Sequence, residues 1–180
     1  MARKTTAQLL AEIAALFPDN TTALITPAAV RTSLQNICES FTDAYGALQG
    51  LPVVPLALTA SVIKLAVFDA VLTTTPEVTP SAANDNFVVG AAAGYYFDFT
   101  TTVTGTNNQV LRFVARKNAI ETVWTYQATI TGGGNTAEIS FSGFIQAVAT
   151  DVIDMAVSSL SGNTTPNFSQ SYFVMHDVQQ

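Results

Sequence analysis

Apolar side chains in the first 45 residues recur at the spacing of an α-helix. Thr5-Thr6-Ala7-Gln8 has the form of a capping box, and apolar residues follow it every three to four positions. Pro18-Asp19-Asn20 interrupts the pattern, and Thr26-Pro27 begins a second apolar stripe with a cap residue and a proline at the first helical position. The pattern therefore predicts two short helices. Their expected contact residues are Leu9, Ile13, Leu16, Phe17, Val30, Leu34, Ile37 and Phe41.

Two helices of this length do not form a stable domain alone, because fewer than about 40 residues rarely bury enough apolar surface. The stripes must pack against something else. The sequence leaves three candidates open: sister chains, the rest of this chain, and a foreign partner.

From about Leu51 the pattern changes to short runs rich in Val, Ile, Thr and Phe, separated by Pro, Gly and Asn. Several runs alternate with period two, so that Tyr95, Phe97 and Phe99 share one face of a strand and Tyr96 and Asp98 share the other. The runs predict strands at 52–58, 62–72, 86–90, 94–104, 109–117, 121–131, 136–146, 151–159 and 170–178.

Many short strands without intervening helices predict a mainly β fold, a C-terminal antiparallel jelly-roll β-sandwich preceded by the two short helices. The expected domains are a helical attachment module at 1–48 and a sandwich at 49–180.

The aromatic residues of the strands are expected in the core or in a subunit interface, and a sugar-stacking surface is the alternative. The candidates for a subunit interface are Tyr95, Phe97, Phe99, Phe141 and Tyr172, and Trp124 is the candidate receptor contact.

Composition supports self-association. Hydrophobic residues make up 48% of the chain and charged residues only 11%, so electrostatic protection against association is weak. The net charge is −6, and no Lys or Arg follows Lys117. We therefore expect no nucleic-acid partner, since such binding needs clustered cations. The chain shows neither a signal-peptide pattern nor an apolar run long enough to cross a membrane, so no membrane partner is expected.

Few residues suggest catalysis or metal binding. His176 is the only histidine and Cys38 the only cysteine, which leaves too few ligands for zinc. Asp151 and Asp154 are three apart on a predicted strand and should point to opposite faces. The glycine run at 132–134 is predicted to be a hairpin turn between two strands. We expect no enzyme activity, no catalytic residue, no resident metal and no cofactor; a calcium ion shared among loops at a symmetry axis is the alternative left open.

The N-terminal region resembles a module of tailed-bacteriophage virion proteins. The resemblance rests on Phe-Pro-Asp-Asn-Thr at 17–21, Ile-Thr-Pro at 25–27 and Arg31. In that family the module joins two short helices and precedes head fibres, decoration proteins and tail appendages. The resemblance implies attachment to the major capsid protein or another virion protein.

The C-terminal region resembles tumour necrosis factor-like and complement-type globular heads. The resemblance rests on segments 83–89, 94–99, 141–145, 149–153 and 171–173. Such heads are jelly-roll trimers, so the resemblance implies a homotrimer. Ala149-Thr150 before Asp151 departs from the pattern, because a Gly-Asp step is usual there.

Together these resemblances imply a phage virion structural protein: a trimeric capsid decoration (cement) protein or short head fibre, attached by its N-terminal helices. It would be assembled in the bacterial host cytoplasm and displayed on the exterior of the virion. The alternative is a short tail appendage or receptor-binding knob that recognises a host surface glycan or protein.

Overall fold

The computed structural model describes Gln8, Ala11, Glu12, Ala15, Leu34 and residues 44–131 and 135–178. The chain divides into two compact units, Met1–Asp43 and Ala44–Gln180. The five described positions of the first unit have helical backbone, while the two predicted helices as elements lie outside the described residues and stay a prediction. No described helix is long and apolar enough to span a membrane.

The second unit consists of β-strands and one short 3₁₀ turn at Ala82–Asn84. The strands are β1 (Tyr45–Gly50), β2 (Val54–Pro55), β3 (Ile63–Lys64), β4 (Ala70–Thr73), β5 (Val78–Ser81), β6 (Asn86–Val89), β7 (Ala93–Thr104), β8 (Gln109–Lys117), β9 (Ile120–Ile130), β10 (Thr136–Ala147), β11 (Val152–Ser159) and β12 (Asn167–Asp177).

These strands form two antiparallel sheets. The first has the order β10-β7-β12-β1-β4, with β2 paired to β12, and the second has the order β5-β6-β11-β8-β9, with β3 paired to β11. Strands distant in sequence lie side by side in both sheets, as in a jelly roll. The predicted mainly β, antiparallel sandwich is confirmed.

The core lies between the inner faces of the two sheets. Phe173 of β12 is fully buried, and its ring lies 4.8 Å from that of Phe87 on the opposite sheet and 6.2 Å from those of Phe97 and Phe99. Most of these contacts are edge-to-face, which is a favoured arrangement for buried rings. The aromatic side chains that alternate along β7 and β12 therefore hold the two sheets together.

One predicted boundary differs from the structure. Strand β1 lies at 45–50, so the predicted domain boundary at 48/49 falls inside a strand of the sandwich. Gly46 belongs to β1, and a Cβ added there would lie 2.6 Å from Val78 Cγ1. Glycine permits this close approach between strands.

The predicted hairpin at 132–134 is wrong in one respect. The glycines lie outside the described residues, but the strands on either side, β9 and β10, belong to different sheets. Strands β9 and β10 therefore do not pair as the strands of a hairpin would, and they meet through side chains such as Tyr126 and Phe141.

Candidate assembly surface

A row of three rings crosses the outer face of the first sheet. Tyr96 of β7 pairs directly with Phe144 of β10 on one side and with His176 of β12 on the other. Its ring centroid lies 5.6 Å from that of Phe144 and 5.8 Å from that of His176. Tyr96 is 46% exposed, and the other two rings are half-buried. We call Tyr96, Phe144 and His176 the outer aromatic row.

Strand alternation explains the position of this row. Tyr95 and Phe97 point into the core, so Tyr96 between them must point outward. The outward positions farther along β7 are Asp98, Thr100, Thr102 and Thr104, and those of β10 include Glu138 and Ser142. The row is thus an apolar patch beside a surface of hydroxyls and carboxylates.

A second group of rings closes the open side of the sandwich between β9 and β10. Tyr126 of β9 stacks on Phe141 of β10, with ring centroids 5.7 Å apart and planes 8° apart. The indole N–H of Trp124 donates a hydrogen bond to the carbonyl oxygen of Phe144. We call Trp124, Tyr126 and Phe141 the aromatic seam.

The seam stays partly open to solvent. Trp124 is 36% exposed and Tyr126 is 38% exposed, and Val123 beside them is 88% exposed. The seam lies at the edge of the sandwich, whereas the outer aromatic row lies on a sheet face, and both include residues of β10. One copy of the chain therefore presents two different apolar surfaces that adjoin along a single strand.

Sequence comparison identifies no relative: no family model matches the chain, and no curated protein matches it. Comparison of folds identifies similar solved structures. The globular domain of zebrafish complement 1qA superposes with a TM-score of 0.56 at 9% identity, covering 77% of this chain and 99% of that one. Eiger TNF from S. frugiperda superposes with a TM-score of 0.55 at 11% identity, covering 77% and 94%.

Murine APRIL at pH 5.0 is a third example, with a TM-score of 0.54 at 8% identity and coverage of 76% and 100%. The sandwich has the fold of complement- and TNF-type globular heads. At these identities the likeness establishes the fold alone, and it confirms the fold that the resemblance in the sequence implied.

Within this globular-head fold, three of the predicted interface residues must be corrected. Tyr95, Phe97 and Phe99 are at most 1% exposed, because their side chains fill the core of a single sandwich. They are unavailable to a neighbouring chain. The predicted period-two alternation is confirmed, and these three side chains occupy the face of β7 that packs in the core of the sandwich.

The other two interface candidates are partly accessible. Phe141 belongs to the aromatic seam, and Tyr172 is half-buried, with its hydroxyl accepting a hydrogen bond of 3.1 Å from Gln49 Nε2. Trp124, the expected receptor contact, packs against Gly143, where an added Cβ would lie 2.6 Å from its ring. Its N–H and part of its ring are therefore already engaged within the chain.

Tyr96, Phe144 and His176 were missed as surface candidates. The sequence signal for such a surface residue is an aromatic side chain that alternates with core residues on either side of it in a strand. That signal is visible at Tyr96, but the pairing of strands 40 to 80 residues apart is what brings the three rings together.

Of the eight residues expected to form attachment contacts, only Leu34 is described; it has helical backbone and is 55% exposed. The other seven lie outside the described residues, as does Cys38. Their role stays a prediction.

The carboxylates considered for catalysis are used in structural bonds. Asp154 pairs with Arg116, and Asp151 accepts hydrogen bonds from Asn118 Nδ2 at 2.7 Å and from the Val148 N–H at 2.9 Å. These two bonds hold the pKa of Asp151 below its usual value. Among the described residues, no group of three or more His, Cys, Asp or Glu is placed to hold a metal ion.

Proposed function

We propose that this protein is a structural component of a tailed-phage virion, whose globular head forms a homotrimer and whose N-terminal segment attaches it to the capsid. It acts by binding, as a capsid decoration protein or short head fibre. The observation that carries the proposal is the outer aromatic row, in which Tyr96 is almost half exposed beside the outward hydroxyls and carboxylates of β7 and β10.

Exposed rings of this size lose much of their contact with water when a second protein covers them, and aromatic residues are typical anchors of interfaces. The row and the seam lie on different parts of one chain. When the seam of one copy covers the row of the next, the contact is heterologous, and such contacts close into a ring if the rotation permits. The number three comes from the likeness to trimeric heads.

The state of Trp124 favours this role over receptor binding. Sugar stacking needs a free ring face, but Trp124 packs on Gly143 and donates its N–H to Phe144. At the edge of the sandwich it is better placed to contact a second copy. Recognition of a host glycan or protein remains the alternative, and binding of the intact protein to host surface glycans would support it.

Assembly is tested by light scattering of the full chain at micromolar concentration. We expect a trimer, and we expect Tyr96→Ser to raise the concentration at which it dissociates, since loss of an interface anchor costs about 2 kcal/mol per contact. Val71→Ser is the matched control, because Val71 is 44% exposed in edge strand β4 of the same sheet, away from the row. A monomer at this concentration would contradict the proposal.

Attachment is tested separately. Replacing Leu34 and Ile37 by Asp in the full chain should remove the protein from purified particles while leaving the trimer intact. If the trimer forms but never copurifies with particles, the virion role fails and the assembly of the head stands.

A further inference from the structure

His176 lies at one end of the outer aromatic row, beside Tyr96. It pairs with Tyr96 of β7 and with Tyr45 of β1, so it lies between two rings on neighbouring strands. Its ring is half-buried, and its Nδ1 lies 3.3 Å from the carbonyl oxygen of Asp177. It is the only histidine in the chain.

Few ionisable groups lie beside this imidazole among the residues that the structure describes. Strand β7 contributes the Tyr96 hydroxyl and, one step along the same face, the carboxylate of Asp98, which pairs with Val174. Strand β1 contributes the Tyr45 hydroxyl, and Tyr172 lies farther along β12. No Lys or Arg occupies the outward positions of β7, β10 or β12. Between pH 8 and pH 5, histidine is the side chain in this set that ordinarily changes charge.

We propose that the outer aromatic row is an acid-sensitive contact, in which protonation of His176 dissociates the assembled head as the pH falls from about 7 to about 5. This inference rests on the proposed assembly through the row. It adds a release mechanism that the assembly itself does not require.

The physical basis is the difference in solvation between the free and the assembled chain. A half-exposed imidazolium keeps part of its water shell, whereas one covered by apolar rings of a second copy loses it. The ring contact with Tyr96 and the diagonal position of Asp98 are the same in the free and the assembled chain, so assembly does not change them. Loss of water occurs only on assembly, and it favours neutral His176 in the trimer.

The sign and the steepness follow from linkage. Because the free chain binds a proton more readily than the assembled chain, trimer stability is complete at high pH and is lost as the pH falls. One trimer contains three copies of His176. At its steepest, the dissociation constant for three chains therefore rises about a thousandfold for each pH unit, corresponding to uptake of three protons.

The test is sedimentation of the full chain over a concentration series between pH 8 and pH 5. We expect the dissociation constant of the wild-type trimer to rise steeply as the pH falls from about 7 to about 5, while the circular dichroism spectrum stays unchanged. His176→Gln keeps a neutral polar side chain, and its trimer should persist to pH 5. Asp85, whose pKa is raised by burial, is present in both proteins and is therefore controlled for.

Asp98→Asn is a second variant that retains the imidazole. It should keep the steep dependence on pH, because the imidazole that takes up the proton is unchanged. The inference is overturned if the wild-type trimer has the same constant at pH 8 and pH 5, or if His176→Gln dissociates as the wild type does. A chain that is monomeric at pH 8 would instead overturn the proposed assembly, and this inference with it.

Discussion

Arg116 and Asp154 lie directly opposite each other on β8 and β11, and their side chains form a two-bond ion pair. The guanidinium donates through Nε to Asp154 Oδ1 at 2.7 Å and through a terminal nitrogen to Oδ2 at 2.9 Å. Only 13% and 7% of the two side chains are exposed. Each charge is therefore largely removed from water and depends on the other.

Asp154→Ala should lower the free energy of unfolding by about 3–5 kcal/mol, because it leaves the Arg116 charge buried without its partner. Urea denaturation measures the change. The control is Glu121→Gln, which breaks the exposed pair with Arg112 on the same sheet and should cost less than about 1 kcal/mol. Equal losses in the two variants would show that burial does not decide the contribution.

The lowered pKa of Asp151 predicts a loss of stability in acid. Hydrogen bonds from the Val148 N–H and from Asn118 favour the ionised carboxylate in the folded state. Its contribution is therefore complete above its unfolded pKa, near 4, and is lost as the pH falls through the lower folded value. Between pH 5 and pH 2, the midpoint temperature of thermal unfolding should fall less steeply in Asp151→Asn than in the wild type. If the variant and the wild type lost stability equally between pH 5 and pH 2, Asp151 would not be the group responsible.

Thr150 has a backbone conformation that suits glycine. Its φ angle is 78°, which is unusual for a β-branched residue, and its side chain is exposed. Thr150→Gly should raise the free energy of unfolding by about 1 kcal/mol, since the strain that it relieves is of order 1–3 kcal/mol and glycine loses more backbone entropy. Thr129→Gly, at an exposed position within β9, should lower it. A loss of stability in Thr150→Gly would argue against the strain.

Gly143 permits Trp124 to close the sandwich. A Cβ at this position would lie 2.6 Å from Phe97 Cε1 and 2.6 Å from Trp124 Cδ2. Gly143→Ala should cost about 1–3 kcal/mol, as overpacking does, and should shift the emission of Trp124, the only tryptophan. Ser142→Ala, an outward change at the neighbouring position, should leave the stability and the Trp124 emission unchanged. If Gly143→Ala also changed neither, the aromatic seam would have room for the added methyl group.

The later strands were predicted closely because their alternation is regular. Strand β8 spans 109–117 as expected, and β7, β10 and β11 each differ from prediction by one residue at one end. Strand β5 was missed because Pro80 reads as a breaker, although β5 is an edge strand, where proline is tolerated. The predicted strand 62–72 is instead two short strands, β3 and β4, which belong to different sheets.

The candidate site was harder to predict than the strands. Alternation places Tyr95 and Tyr96 on opposite faces, but it does not say whether the apolar face packs within the sandwich or against a neighbouring chain. That choice depends on which strands lie opposite, a long-range property of the jelly roll. The outer aromatic row joins β7, β10 and β12, and no local pattern indicates that these strands are neighbours.

The place of β12 in the first sheet has a consequence for synthesis of the chain. Strand β12 lies between β7 and β1, so each of those strands lacks one of its two neighbours until residues 167–177 leave the ribosome. Pairing over such sequence distances is slow, and unpaired strands in a growing chain are prone to aggregation. We expect ribosome-bound chains that end before residue 167 to stay unfolded, because β7 and β1 then lack the strand that lies between them.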